Sequence, residues 1–258
     1  ALTSGAGNTA VGYQALDATD DGNYNTAVGT NALSANCGDG NTAIGNEAAV
    51  VTTGQGVVAI GGYHNATYKA PLQVNVGGSY SIAIGSGALQ STTAADVDGS
   101  VAIGYGALQD VNATGGAQHA SATVGIGMSA GGNLTAGIGN TAIGHNALAG
   151  EDTGDGNTAV GFKALTVCNG ADNNGNTAIG YLSLTACTTG VNNTAVGYNS
   201  GLDLTTGSYN TIVGYEALPN AQVNVNSTTA IGYRAGYKLG DDGASDHSEN
   251  NTIVGYLA

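Results

Sequence analysis

One short phrase, Asn-Thr-Ala-(Val/Ile)-Gly-Tyr-x-Ala-Leu, recurs along nearly the whole of this chain, and Asn8-Thr9-Ala10-Val11-Gly12-Tyr13-Gln14-Ala15-Leu16 is a complete copy. Indexed by its glycine, the phrase returns at Gly12, Gly29, Gly45, Gly61, Gly85, Gly104, Gly127, Gly144, Gly161, Gly180, Gly197, Gly214, Gly232 and Gly255, at intervals of 16 to 24 residues. Val or Ile precedes the glycine in all fourteen copies. Ala stands two before it in eleven copies, Thr three before it in ten and Asn four before it in nine. So fixed a phrase at so short a period restricts the fold to stacked units, each burying its neighbour's face.

The period is too short for a pair of helices, and a glycine in every copy opposes a continuous helix at about 1 kcal/mol each relative to Ala. One turn of a solenoid fits instead. The expected fold is all-β, a parallel β-solenoid of about fourteen coils of 16–24 residues, with residues 1–258 forming a single repeat domain. Coils stacked at about 4.8 Å predict a rod on the order of 65 Å long. Alternation along a strand puts Thr and Val/Ile on one face and Ala on the other. The β-branched column is Val11, Val28, Ile44, Ile60, Ile84, Ile103, Ile126, Ile143, Val160, Ile179, Val196, Val213, Ile231 and Val254. It is expected to line the interior, leaving the small Ala face free for close approach by another surface. Glycine follows where the chain bends or takes a positive φ that a Cβ resists. The Ala-Leu pair (Leu16, Leu33, Leu89, Leu108, Leu148, Leu165, Leu184, Leu218) is expected to fill the same core. Asn is expected to form corner ladders of amide hydrogen bonds, with Tyr outside. The rest is turn chemistry.

Composition agrees with a packed but narrow core. Apolar residues make up 41% of the chain at fixed places, yet there is no Trp and one Phe. Only 9% of residues are charged and the net charge is −14. Lys69, Lys163, Arg234 and Lys238 are the only Lys and Arg and do not cluster, which argues against nucleic acid and against an anionic membrane surface. No apolar run reaches the length of a membrane-spanning helix. The chain opens inside the repeat rather than on a signal peptide, which a secreted protein would have shed.

Ser81-Ile82-Ala83-Ile84-Gly85-Ser86-Gly87-Ala88 and Ser100-Val101-Ala102-Ile103-Gly104-Tyr105-Gly106-Ala107 resemble the YadA-like head repeats of trimeric autotransporter adhesins. The Asn-Thr-Ala-Ile-Gly-Tyr variant is similar to repeats of bacteriophage tail fibres. The resemblance covers almost the whole chain. It implies a left-handed parallel β-roll, commonly a homotrimer, exposed on a cell or virion surface in an extracellular fibre. The head repeats of that family are shorter, and this sequence carries neither a heptad stalk nor a membrane-anchor barrel. Placing Ala258 ahead of Ala1 puts Gly255 fifteen residues (three plus twelve) before Gly12, close to a normal coil. That spacing suggests either a segment of a longer array or a head-to-tail filament joined through open sheet edges.

Insertions are expected near residues 63–80, 109–121 and 238–249, leaving the solenoid as surface loops. The first carries His64, Tyr68, Lys69 and Pro71, the candidate contact for a cell-surface receptor or glycan. Acidic groups at Asp17, Asp20 and Asp21, at Glu151, Asp152 and Asp155, and at Asp241, Asp242 and Asp246 are either Ca²⁺ ligands or a solvated acidic surface. No other metal or cofactor is expected. Cys168 and Cys187 each sit seven residues after their glycine, so stacking brings their Cα atoms to roughly 5 Å, as a disulfide or as two small buried thiols. Cys37 is left over, as a buried thiol or an inter-subunit contact. Sequons at Asn65, Asn112, Asn133 and Asn226 follow from composition.

Enzyme motifs are by-products of the repeat. Gly127-Met128-Ser129-Ala130-Gly131 fits G-x-S-x-G, but Gly232-Tyr233-Arg234-Ala235-Gly236 fills the same places without the serine. His64, His119, His145 and His247 lie on distant coils. No catalysis is expected. An ice-binding solenoid is disfavoured because Thr shares the face assigned to the interior. A carbohydrate module is the third reading, with Tyr13, Tyr105, Tyr181, Tyr198, Tyr215, Tyr233 and Tyr256 as outward rings for stacking on sugars.

Overall fold

A computed structural model describes residues 4–19, 21–67, 69–75, 78–92, 98–110, 121–135, 137–150, 153–168, 175–221, 225–239 and 249–258. The described regular structure is all β, in parallel β-solenoid coils. Two compact units divide the chain, Ala1–Ile138 and Gly139–Ala258. Within the first, the strands Thr9–Val11, Thr26–Val28, Thr42–Ile44, Val58–Ile60, Ile82–Ile84, Val101–Ile103 and Val124–Ile126 are hydrogen-bonded in that order. Within the second, the order is Thr141–Ile143, Thr158–Val160, Thr177–Ile179, Thr194–Val196, Thr211–Val213, Thr229–Ile231 and Thr252–Val254. Pairing is parallel and joins like to like, as in Thr158↔Thr177, Ala159↔Ala178 and Val160↔Ile179. The first unit adds a two-stranded parallel ladder, Val74–Asn75 with Ser91–Thr92.

Each of the fourteen Thr-Ala-(Val/Ile)-type strands ends at the repeat glycine, whose φ lies between +117° and +144°. A Cβ at Gly12 would come within 2.5 Å of the Gly29 carbonyl oxygen, so both the backbone angle and the close stacking of coils require glycine. The chain then turns, closed by the Ala15 N–H donating to Gly12 O at 3.4 Å. The leucine that follows takes a left-handed conformation, as at Leu165 (φ 52°) and Leu184 (φ 49°). That conformation costs about 1–2 kcal/mol. Full burial of a leucine contributes about 1.5–3 kcal/mol, and the Leu165 N–H gains the Ser183 carbonyl of the next coil at 2.9 Å. Burial therefore holds the strained angle.

The interior is not lined as the alternation first suggests. Ala27, Ala43, Ala59, Ala83, Ala102, Ala142, Ala159, Ala178, Ala195 and Ala230, at the strand centres, are 0% exposed. None of the β-branched column is buried. Val11, Val28, Ile44, Ile60, Ile84, Ile103 and Ile126 face outward in the first unit, and Ile143, Val160, Ile179, Val196, Val213, Ile231 and Val254 do so in the second. The cause is steric. The leucine reaches across a narrow coil toward the strand centre, leaving room there for a methyl group and no more. A Cβ added at Gly125, which replaces that Ala, would lie 2.7 Å from Leu108 Cγ.

Two coils show the same fit in reverse. Gly201 stands where a leucine is usual, and in the next coil Ile212 replaces the central Ala. A Cβ at Gly201 would meet Leu184 Cδ2 at 2.9 Å and Ile212 Cδ1 at 3.0 Å. Gly236 and Ile253 repeat the exchange, with Ile253 Cδ1 at 3.2 Å. Volume is conserved across the pair, as close packing demands.

The buried Asn ladder solves the polar side of the same problem. Asn193 Oδ1 accepts the backbone N–H of Asn210 in the next coil at 3.0 Å, and its Nδ2 donates to Gly207 O at 2.8 Å. Asn176 does the same toward Asn193 N at 2.9 Å and Gly190 O at 2.8 Å. The ladder bonds mainly side chain to backbone, with fewer amide-to-amide bonds such as Asn210 Nδ2 to Asn193 Oδ1 at 3.0 Å. Corner groups that would otherwise be buried without partners are thereby satisfied.

Candidate interaction surface

With Ala and Leu inside, each strand presents its first and third residues outward. In the second unit every strand carries Thr first and Val or Ile third. Register is strict, so the face consists of a Thr column beside a β-branched column, as in Thr177↔Thr194 and Ile179↔Val196. Thr therefore does not turn inward, because it shares the outer face with Val and Ile. In the first unit four successive strands, Val58–Ile60, Ile82–Ile84, Val101–Ile103 and Val124–Ile126, carry aliphatic residues at both places. On a chain of net charge −14, no strand of the solenoid carries a charged side chain.

A second outward column follows the repeat glycine. In the second unit it is aromatic in all seven coils: His145, Phe162, Tyr181, Tyr198, Tyr215, Tyr233 and Tyr256. Successive ring centroids lie 5.0 to 5.3 Å apart with interplanar angles of 6° to 13°. The spacing is imposed by the coil repeat, since equivalent residues of adjacent strands lie about 4.8 Å apart. Beside the column, Arg234 Nε donates to Glu216 Oε2 at 2.6 Å across one coil, and its guanidinium lies 5.4 Å from the Tyr233 ring and 5.0 Å from the Tyr237 ring. Hydrogen bonding to Glu216 pushes the Tyr215 hydroxyl above its ordinary range. Each inner ring has its faces covered by its neighbours, leaving edges and hydroxyls outward. Sugar stacking, which needs a ring face, is not offered along this column. Sequence reading found the tyrosines but missed His145 and Phe162; their place after the glycine was the available signal.

The insertion that carries the predicted contact residues is shorter than expected. Ala49 N–H donates to Pro71 O at 3.1 Å and Leu72 N–H to Ala88 O at 3.1 Å, so Pro71 and Leu72 already fill the Ala-Leu places of their coil. The coil is therefore regular again by Pro71. Pro71 is buried and contributes to no outer surface. Lys69 is half-buried, its carbonyl accepting the Gly87 N–H at 2.8 Å and the Ser86 hydroxyl at 3.0 Å. His64 is exposed, edge-on to Tyr105 at 5.7 Å between centroids. Tyr68 lies outside the described residues.

Cys168 and Cys187 are not joined in a disulfide; both are thiols, 0% exposed. Cys187 Sγ is directed to the Gly190 carbonyl of its own turn at 3.5 Å. Cys37 is also a buried thiol, 3.4 Å from the Thr19 hydroxyl, and burial pushes it above the ordinary thiol range. Asp17 and Asp21 are exposed; Asp20, Glu151, Asp152, Asp241, Asp242 and Asp246 lie outside the described residues, as do Asn112, His119, His247 and most of the loops near 109–121 and 238–249. Among the described residues, no three His, Cys, Asp or Glu side chains group as metal ligands. Asp39 and Asp98 serve the backbone instead, accepting the N–H groups of Asn23 at 2.7 Å and Ser79 at 2.6 Å. Ser129 of the G-x-S-x-G string occupies an ordinary turn place (φ 53°), its N–H donating to Tyr105 O at 2.9 Å, with no helix after it.

No family model, curated protein or solved structure matches this chain.

Proposed function

We propose that the chain is a structural and adhesive segment of an extracellular fibre, on a cell surface or on a virion such as a phage tail, built from copies of itself packed through the outward Thr-x-(Val/Ile) face. The observation that carries this reading is that face. It is uncharged and rich in β-branched side chains, on an otherwise acidic chain. Ile179 and Val254 are 39% and 65% exposed. Uncharged, regularly spaced aliphatic columns are self-complementary, whereas the remaining acidic surface repels a second copy. A homotrimer accords with the resemblance to trimeric adhesin heads; exposed residues 63–67, with His64, are the first place for a receptor or glycan contact. No catalytic step and no cofactor are part of this reading.

Light scattering on the purified chain tests it. The expected result is an oligomer, with the trimer first in expectation, that the double variant Ile179→Lys/Val213→Lys reduces to a monomer of unchanged β-sheet circular dichroism. A wild-type monomer at tens of micromolar would sink the proposal. A second reading is favoured by the outward Thr column of the second unit: a flat Thr-bearing face exposed to water is what ice binding requires. It needs the face free, so a monomer with measurable thermal hysteresis, lost in Thr177→Lys/Thr211→Lys, would replace the fibre reading.

A further inference from the structure

The stacked aromatic column of the second unit has a chemistry that the fibre reading does not use. We propose that Tyr181, Tyr198, Tyr215, Tyr233 and Tyr256 form a site of oxidative coupling, at which a one-electron oxidant, such as a haem peroxidase with hydrogen peroxide, joins the rings of successive coils as dityrosine.

Geometry, exposure and confinement place the reaction there. The five phenols occupy consecutive coils, with ring centroids 5.0, 5.1, 5.3 and 5.0 Å apart. That distance is only slightly longer than the separation of the two rings in a carbon-linked biaryl, so coupling needs a swing of the rings out of the stack and little movement of the backbone. The five tyrosines are 42%, 42%, 43%, 37% and 74% exposed, so their outer edges and hydroxyls are open to an oxidant in solution. The coil spacing holds each phenol beside a second one permanently, which converts a bimolecular encounter of radicals into an intramolecular one. Tyr13, Tyr24, Tyr63, Tyr80 and Tyr209 are more exposed than Tyr181, Tyr198, Tyr215 and Tyr233, yet no tyrosine ring is stacked on them among the described residues.

Each of two phenols gives up one electron to the oxidant and one proton to solvent, leaving two phenoxyl radicals. A carbon–carbon bond forms between ring carbons ortho to the two oxygens. The hydrogens on those two carbons leave as protons while the oxygens are reprotonated, restoring both aromatic rings. Overall two tyrosines and one hydrogen peroxide give one dityrosine and two water molecules. Four such pairs are available along the column, each tying one coil to the next in the direction already held by the strand hydrogen bonds. The product is a covalently stapled solenoid edge.

The proposal requires one chain only and so stands or falls separately from self-assembly. The test mixes ¹⁵N-labelled and unlabelled chains, treats them at low concentration with peroxidase and hydrogen peroxide, and reads dityrosine fluorescence together with the masses of cross-linked peptides. The expected products are Tyr181–Tyr198, Tyr198–Tyr215, Tyr215–Tyr233 and Tyr233–Tyr256, each carrying one isotope throughout. Tyr198→Phe/Tyr233→Phe keeps every ring in the stack, as Phe162 already does, but removes all four adjacent pairs. Its fluorescence is expected to fall to near background, with Tyr24→Phe/Tyr209→Phe unchanged. Cross-links spread evenly over Tyr13, Tyr24 and Tyr80, or mixed isotopes in the products, would overturn the proposal. So would undiminished fluorescence in the Tyr198/Tyr233 variant, or no dityrosine under conditions that couple free N-acetyltyrosine.

Discussion

The coils of the second unit copy one another more closely than those of the first. Thr opens all seven of its strands and an aromatic ring follows all seven of its glycines. In the first unit Val58, Ile82, Val101 and Val124 replace that Thr, and Thr30, Asn46, Gly62, Ser86 and Met128 stand at the aromatic place. The same four coils lose Asn from the corner, to Val57, Ser81, Ser100 and Thr123. What both units keep is the repeat glycine and an apolar interior. The fold rests on these, while the outer columns are free to change.

The changes cluster because ladders are built between coils. Asn41 Oδ1 still accepts the Val57 N–H at 2.9 Å, but Val57 has no side-chain oxygen to offer the following coil. Shorter side chains reach less well: Thr123 N–H meets Ser100 Oγ at 3.4 Å, against 2.8 to 3.0 Å for the Asn rungs of the second unit. The insertion before Pro71 falls in this stretch, where the aromatic column is already interrupted.

The contrast sets the order of expected effects. Gly180→Ala places a Cβ in hard contact with the Gly197 carbonyl and should prevent its coils from stacking, at more than about 4 kcal/mol. Gly61→Ala has its nearest atom at 3.2 Å, beside the insertion, and should cost about 1–3 kcal/mol through backbone strain alone. Urea denaturation of the two variants compares them directly; equal losses would mean that the wider spacing at Gly61 relieves nothing. Next, Asn193→Leu strands the Asn210 N–H and the Gly207 carbonyl, at about 1–3 kcal/mol for each group. Ser100→Ala, at the weaker rung, should cost about 1 kcal/mol or less, and hydrogen exchange at Asn210 and Thr123 reports each site.

Gly201→Leu and Ile212→Ala test the core exchange. Overpacking should cost the first about 1–3 kcal/mol and a cavity should cost the second about 2–5 kcal/mol. The double variant restores the pairing of the other coils, so its loss should be smaller than the sum; strict additivity would contradict the shared-volume account. The smallest effect belongs to the outer column. Tyr198→Ala should cost about 1 kcal/mol, because an exposed stack adds little beyond its area, and Ser86→Ala at the corresponding place of the first unit should be close to neutral.

Much of this was legible in the sequence. The strands, their like-to-like register and the conformation of the glycines follow from the repeat. The face that each strand buries did not, because alternation separates Thr and Val/Ile from Ala without saying which side is inner. Side-chain size suggested the branched column. The decisive signal was weaker: the Leu that follows eight of the glycines must itself be housed, and Gly201 with Ile212, or Gly236 with Ile253, points to one volume shared by the strand centre and the leucine. For Cys168 and Cys187 the sequence left a disulfide and two buried thiols both open, since in-line stacking gives proximity but not the direction of Sγ; the structure has the buried thiols. The His64 loop was misjudged in extent because Pro71-Leu72 carries the Ala-Leu role without its usual first residue.

Comparing Ala178→Leu with Ile179→Ala, adjacent residues of one strand, tests the inversion of the core most directly. Unfolding free energies are measured by urea at a concentration where the chain is monomeric. An inward Ala178 at 0% exposure and an outward Ile179 at 39% predict a loss of about 1–3 kcal/mol or more for the first and under about 1 kcal/mol for the second. A near-neutral Ala178→Leu together with a loss of several kcal/mol for Ile179→Ala would put the branched column inside and contradict the account.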